Sequence, residues 1–319
     1  MRILITGGCG YVGSVLIRKL LKLGHEVINF DTQWFGNYLE KHSNLKNYKK
    51  DVREIKNKDL KNIDTVIHLA SIANDPMVEL DQGLSWEVSC LGTLQLLNYA
   101  IENKVKKIIY ASSGSVYGVK KKSEIVHENI DLNPISTYNK VKMSTERIIL
   151  SYRDKINYTI IRPATVCGFS PRMRFDVAVN ALSFSAMFKK EITINGGNQI
   201  RPNIHINDLV DLYIYFLKNG KYFNGIYNAG FENISIMKIA KKVQKKIPSK
   251  INIIKKNFDP RSYRQDSSKL LKHGFKPKYT IDDAIVELKE KFNNRSLKDS
   301  PNFHSISWLK KILKQKKIY

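Results

Sequence analysis

Thr6-Gly7-Gly8-Cys9-Gly10-Tyr11-Val12-Gly13 follows the short apolar run Ile3-Leu4-Ile5 and leads into Val12, Val15, Leu16, Lys19, Leu20 and Leu23, an amphipathic helical pattern. The order predicts strand, glycine turn, helix. Glycines at such a turn let a pyrophosphate approach the backbone and rest on the helix N-terminus, where free N–H groups and the helix dipole favour an anion. The flanking strand and helix are the context that turns a common glycine pattern into a dinucleotide-binding one.

Outward from that turn, the first half alternates strand and helix, which favours a parallel sheet covered on both faces. Strands are expected at Ile3 to Thr6, Glu26 to Phe30, Thr65 to Leu69, Lys107 to Ala111 and Tyr158 to Arg162, with helices at Tyr11 to Leu23, Trp86 to Asn103 and Ser136 to Tyr152. The second half is less regular. Val177 to Phe188 reads as a helix, Gly196-Gly197-Asn198 as a turn before Ile204-His205-Ile206, and Asn207 to Leu217 as a helix capped by Asn207. Near the end, Ile306, Leu309, Ile312 and Leu313 fall on one helical face, suited to packing on the body or on a second subunit.

The chain has 319 residues, enough for one large α/β unit or two closely packed domains, and 42% of them are hydrophobic, as in soluble globular proteins. No run of eighteen apolar residues occurs, so no membrane span is expected, and the N-terminus lacks a signal-peptide layout. Cys9, Cys90 and Cys167 are scattered without metal-ligand spacing; no metal site and a reduced cytoplasmic setting are expected. The 54 Lys+Arg against 29 Asp+Glu give a net charge of +25. The excess is spread along the chain and no nucleic-acid-binding motif accompanies it, so a solvated basic surface is expected rather than a nucleic-acid partner. Part of that field helps draw in a doubly negative substrate.

Strand two ends at Asp31, eighteen residues after Gly13. A carboxylate there accepts both hydroxyls of an adenosine ribose and repels a 2′-phosphate, which selects NAD over NADP. Asp51-Val52 follows a third short strand and could edge the adenine, and the small residues of Leu69-Ala70-Ser71 leave room at the end of the fourth. Tyr138 and Lys142 stand four apart, on one helical face. An ammonium near a phenol is expected to lower the phenol's pKa toward neutrality. Ser112-Ser113-Gly114-Ser115-Val116-Tyr117-Gly118 follows a buried strand, where open α/β sheets place ligands, and a serine there can bind the same hydroxyl as the tyrosine.

Together with Asp51-Val52, His68-Leu69-Ala70 and Arg162-Pro163-Ala164-Thr165-Val166-Cys167-Gly168, these segments occur in the order found in extended short-chain dehydrogenases/reductases. Over nearly its whole length the chain resembles the NAD-dependent nucleotide-sugar epimerase/dehydratase family, which includes UDP-glucose 4-epimerases. Ser170-Pro171-Arg172-Met173-Arg174-Phe175-Asp176 is similar to a branch that includes GDP-heptose 4-oxidases. The resemblance implies a Rossmann doubly wound parallel sheet over 1–165, to which some later segments return. A smaller C-terminal α/β domain over 166–319 would then bind the nucleotide sugar. It also implies a homodimer.

By the same resemblance Tyr138 is the acid/base, Lys142 holds the nicotinamide ribose, and Ser113 binds the reacting hydroxyl. Gly7, Gly10, Tyr11, Val12, Gly13, Asp31, Asp51, Val52, Leu69, Ala70, Ser71 and Pro163 fall to the NAD site. Thr165, Asn180, Arg201 and Arg261 fall to the substrate, with Arg264 competing for the last role. Family 4,6-dehydratases carry an Asp-Glu pair where this chain has Gly114 and Ser115, so dehydration is disfavoured; Thr165 and Ser89 stand where asparagines are usual. The expected activity is oxidation of a ring hydroxyl, at C4, of a nucleotide-activated sugar, most simply as a 4-epimerase. The alternatives are a dehydrogenase that releases the ketone and a non-catalytic NAD sensor; Ser113, Tyr138 and Lys142 together argue against the sensor.

Overall fold

The structure is a computed structural model, and it describes residues 1–120, 124–218, 223–254 and 262–315. In chain order the strands are β1 (Arg2–Thr6), β2 (Glu26–Asp31), β3 (Leu45–Lys49), β4 (Thr65–His68), β5 (Lys107–Ala111), β6 (Ile125–Val126), β7 (Asn157–Pro163), β8 (Thr165–Cys167), β9 (Glu191–Asn195), β10 (Ile200–His205), β11 (Gly225–Ala229), β12 (Glu232–Ser235), β13 (Lys250–Ile254) and β14 (Arg264–Gln265).

Apolar alternation places Ile3 and Ile5 of β1 on one face and Leu4 on the other, all at 0% exposure, so the strand must be covered from both sides. On the Ile3/Ile5 face lie Leu16, Ile17 and Leu20 of the helix Gly13–Lys22, with Leu209, Leu212 and Phe216 of the helix Ile206–Lys218. On the Leu4 face lie Leu96 and Leu97 of Gly92–Glu102 and Ile149 of Thr137–Ser151. The result is a seven-stranded sheet in the order β11-β7-β5-β4-β1-β2-β3, parallel throughout. This is the doubly wound Rossmann arrangement. Its strand order reverses at β1 and β4, where such sheets open a crevice beyond the strand ends.

The later chain builds smaller sheets, β12-β10-β8 and β13-β9, around a separate apolar cluster that includes Met173, Phe184, Ile192, Ile239 and Ile285. β11 and the helix Ile206–Lys218 return to the main sheet. In the C-terminal helix Ser305–Gln315, Leu309 is 1% exposed and joins the Leu4-side core, with Ile306 and Leu313 packed against it.

Three helix boundaries differ from the sequence expectation. Asn207 is not the cap of its helix, which starts at Ile206; the ring Nδ1 of His205 accepts from the Asn207 amide at 3.1 Å instead. The helix expected from Trp86 starts at Gln82, where the Asp81 carboxylate caps the Leu84 amide at 2.9 Å. It then passes through a widened π turn, Glu87–Leu91, before Gly92–Glu102. The helix at Ala178–Phe184 likewise ends in a π turn, Ser185–Lys189. Such turns insert a residue into the ladder, and apolar spacing does not signal them.

Candidate active site

A cleft of about 490 Å³ opens at the carboxyl ends of the main strands. Its floor is the glycine turn. Gly7 has φ +77°, and a Cβ there would lie 2.7 Å from the Ala70 amide nitrogen; a Cβ on Gly13 would lie 2.5 Å from Gly8 Cα. Glycine at the first position allows the turn, and at the second lets the helix start close against it. Tyr11 locks the turn to the later chain: its hydroxyl donates to Gly168 O at 2.7 Å, and its own carbonyl accepts from Ser170 Oγ at 2.7 Å.

Asp31 accepts from the Cys9 amide at 2.9 Å and the Gln33 amide at 2.7 Å, one on each oxygen. Each oxygen keeps a lone pair for a ribose hydroxyl. Burial raises the pKa of Asp31, partly offset by those amides. Asp51 is bound to the Arg53 amide and guanidinium at 2.9–3.2 Å, so its carboxylate is committed while it lines the cleft. The open glycine floor, the ribose-ready carboxylate and the small walls at Leu69, Ala70 and Ser71 fit a bound NAD.

At the other end, β5 carries Ser112 and Ser113 past its tip, while Ser136 caps the helix Thr137–Ser151 by accepting from Asn139 N at 3.2 Å. That helix brings Tyr138 and Lys142 to the cleft. Tyr138, Ser113 and Asn74 line the same part of the cleft, and the Ser113 side chain and the Asn74 amide both pull the phenol's pKa down. Ser113 Oγ bonds Ser115 Oγ at 2.8 Å. Behind them, Ser112 donates to the buried Glu146, which forks onto Arg162 at 3.0 and 2.7 Å. A pair buried to 2–3% exposure holds firmly because each partner satisfies the other.

One sequence expectation needs correction. The Tyr138 phenol is raised, not brought toward neutrality, and Lys142 is not among the groups that act on it most. Its ammonium donates to Ala111 O at 2.7 Å and lies over the Tyr110 ring at 5.0 Å. Burial takes the lysine itself down to about 7. Burial likewise raises the phenol, while the Ser113 side chain, the charge of Arg174 and the Asn74 amide pull it back. The cation that acts most on Tyr138 is Arg174, which is paired with Asp176 at 2.5–3.0 Å.

Gly7, Gly10, Tyr11, Val12, Gly13, Asp31, Asp51, Val52, Leu69, Ala70, Ser71, Ser113, Tyr138, Lys142, Pro163, Thr165 and Arg201 all line this one cleft. Asn180 does not. It is 0% exposed, accepts from Gly168 N at 3.0 Å, and donates to Tyr11 OH at 3.0 Å and Arg174 O at 3.1 Å. Its amide supports the walls of the cleft instead of facing a ligand. Arg261 lies outside the described residues. Arg264 lines a separate, more open cavity with Asn198 and Glu232. The three cysteines are buried and unbridged, and no cluster suited to a metal ion occurs among the described residues. No described helix is long and apolar enough to cross a membrane.

Sequence reasoning missed Asn74, Arg172 and Arg174 as cleft residues. The two arginines stood in the run Ser170 to Asp176, whose spacing alone assigns them no role. Asn74 had no signal.

Residues 3–230 match the model of the NAD dependent epimerase/dehydratase family. The chain is 29% identical over 317 residues to a UDP-glucose 4-epimerase of Lactobacillus helveticus, covering 90% of this chain and 95% of that protein. It is similar, at 28% identity and TM-score 0.83, to a mutant of Bacillus cereus UDP-glucuronic acid 4-epimerase in complex with UDP-4-deoxy-4-fluoro-glucuronic acid and NAD, over 93% of this chain and 100% of that one. It is also similar, at 25% identity and TM-score 0.83, to TunA, an NAD-dependent NDP-hexosamine 5,6-dehydratase of tunicamycin biosynthesis, over 93% of this chain and 99% of that one.

Proposed function

The chain belongs to the NAD-dependent epimerase/dehydratase family, and from that premise we propose that it is a nucleotide-sugar 4-epimerase. When bound, NAD supplies the hydride acceptor. Once its own proton has been given up to solvent, the Tyr138 phenolate takes the proton of the sugar's C4 hydroxyl, and Ser113 holds that hydroxyl against it. Burial keeps the phenol protonated at rest, so its strength as a base depends on positive charge gathering around it; Arg174 is in place for this. Lys142, on the helix Thr137–Ser151 and anchored to Ala111 O at the end of β5, would orient the cofactor's ribose. The C4 ketone then turns over and is reduced on its other face, with Tyr138 returning the proton.

The observation that carries the reading is that Tyr138, Ser113 and Lys142 line one cleft with the glycine turn and Asp31. Thr165 and Arg201 line the same cleft and are assigned to the sugar nucleotide; an arginine fork suits its phosphates. Dehydration is not proposed, because Gly114 and Ser115 offer no acid-base pair beside Ser113. We keep the division into a cofactor domain, 1–165, and a substrate domain, 166–319. We assign a homodimer to the helical face where Trp86, Leu91 and Leu94 stand 38%, 61% and 36% exposed. A single-chain mass in light scattering contradicts that dimer.

The test is Tyr138→Phe. Turnover of the nucleotide sugar should fall by about 10²–10⁴-fold, the usual worth of a positioned acid/base, while NAD binding is kept. An active Tyr138→Phe enzyme removes the phenol from the role.

A further inference from the structure

The turn after β5 carries two serines whose hydroxyls meet. Ser113 Oγ lies 2.8 Å from Ser115 Oγ and accepts from the Ser115 amide at 3.1 Å; both residues are half-buried and line the cleft. The turn is anchored on both sides. Before it, Ser112 donates to the buried Glu146. After it, the Tyr117 hydroxyl, on a side chain at 0% exposure, donates to Asn228 Oδ1 at 2.7 Å and accepts from Arg162 at 2.9 Å. Between the serines, a Cβ on Gly114 would lie 3.3 Å from both the Gln265 side-chain amide and Pro163 O, so the turn packs closely on its neighbours there.

A hydroxyl has one hydrogen and two lone pairs. One lone pair of Ser113 already holds the Ser115 amide, so the direction of the bond between the two hydroxyls decides what is left for the cleft. If Ser113 donates, its hydrogen is spent and only a lone pair faces a substrate. If Ser115 donates, both lone pairs of Ser113 are filled and its hydrogen is free for the cleft. Oxidation of an alcohol makes the second arrangement the useful one. The reacting oxygen carries negative charge as its proton leaves and ends as a carbonyl, which can only accept. We propose that Ser115 is a positioning residue: it donates to Ser113 and so fixes Ser113 as a hydrogen-bond donor to the oxygen being oxidised. This rests on the reading of Ser113 as the group that holds the reacting hydroxyl, and it is independent of which sugar is bound. Ser115 acts through Ser113 alone.

The test is steady-state kinetics of the full-length chain with NAD on UDP-, GDP-, dTDP- and CDP-hexoses, for wild type, Ser115→Ala, Ser115→Thr, Ser113→Ala and the double alanine variant. Ser115→Ala should lower kcat by about 3- to 10-fold, the worth of one neutral hydrogen bond, and leave KM unchanged. Ser115→Thr keeps the hydroxyl and should recover the rate. Ser113→Ala should cost about 10²–10³-fold, as for a donor to an oxyanion. The double variant decides: once Ser113 is gone, Ser115→Ala should cost nothing more. An equal loss from Ser115→Ala in both backgrounds overturns the proposal and leaves Ser115 acting on the fold or on the substrate directly. A raised KM at unchanged kcat overturns it as well, moving Ser115 to substrate binding, and so does a threonine that fails to rescue. A wild-type chain that binds NAD and turns over none of the four sugars overturns the epimerase reading and the role of Ser115 with it, a failure seen in the wild type before any variant is compared.

Discussion

Asn74 sits at φ 72°, ψ 158°, a backbone region that only glycine occupies readily. Side-chain bonds hold it there: Oδ1 accepts from Met77 N at 3.0 Å, and Nδ2 donates to the Asp176 carboxylate. Asn74 thereby lines the cleft with Tyr138, and its amide pulls the phenol's pKa down. Strain of this kind costs about 1–3 kcal/mol and persists where neighbours over-determine it. Substitution separates the parts. Asn74→Gly and Asn74→Ala both lose the side-chain bonds, but only alanine keeps the penalty. Asn74→Gly should be the more stable in chemical denaturation, by about 1–3 kcal/mol; equal stabilities would mean the backbone is not strained. None of this was legible in the sequence, because Asn74 and its partner Asp176 are 102 residues apart. The phenol and the serine were legible, since each lies beside a strong local pattern. The phenol is raised where the spacing predicted a pKa near neutrality, for a reason spacing cannot carry: four residues on a helix fix a common face, not which acceptor the ammonium finds first.

At the scale of elements, the glycine turn and the five strands read from the sequence form within one or two residues of their expected ends, because apolar alternation and a forced φ are local facts. Helix starts were less legible where a carboxylate cap or a π turn intervened. β4 ends in His68, at 0% exposure, its two ring nitrogens bonded to Thr6 Oγ1 at 2.6 Å and Thr93 Oγ1 at 2.8 Å. Burial, and then the charge of Lys142, push its pKa from 6.5 down to about 3. The unfolded chain therefore takes up a proton below pH 6.5 that the folded chain refuses. Stability from this group is fully present above pH 6.5 and is lost as pH falls toward 3, at about 1.4 kcal/mol per pH unit. Lys142 holds its proton in both states over that range at the acid end and contributes little. In urea titrations at several pH values, His68→Gln, which cannot titrate, should gain on wild type as pH drops from 6.5 to 4. A constant difference would show that His68 is protonated in the folded chain.

Across the whole molecule, the cleft is assembled from segments as distant as Gly7 and Ser305, joined by the Tyr11–Gly168 and Arg172–Ser305 contacts. That convergence explains why an ordered set of short motifs identified the family while no single one did. The charge of +25 is not concentrated in any motif, and a field of that sign attracts phosphate-rich molecules in general, the proposed nucleotide sugar among them. What the cleft does with that substrate is most directly tested by the fate of the hydrogen on C4. UDP-, GDP-, dTDP- and CDP-hexoses deuterated at C4 are incubated with the full-length chain and NAD in ordinary water, and the products are analysed by mass spectrometry and NMR. The account predicts that one of them yields its C4 epimer with the deuterium retained, because the same hydride leaves and returns within the cleft. An epimer whose deuterium has been replaced from water, or no product from any of them while NAD is bound, would contradict it.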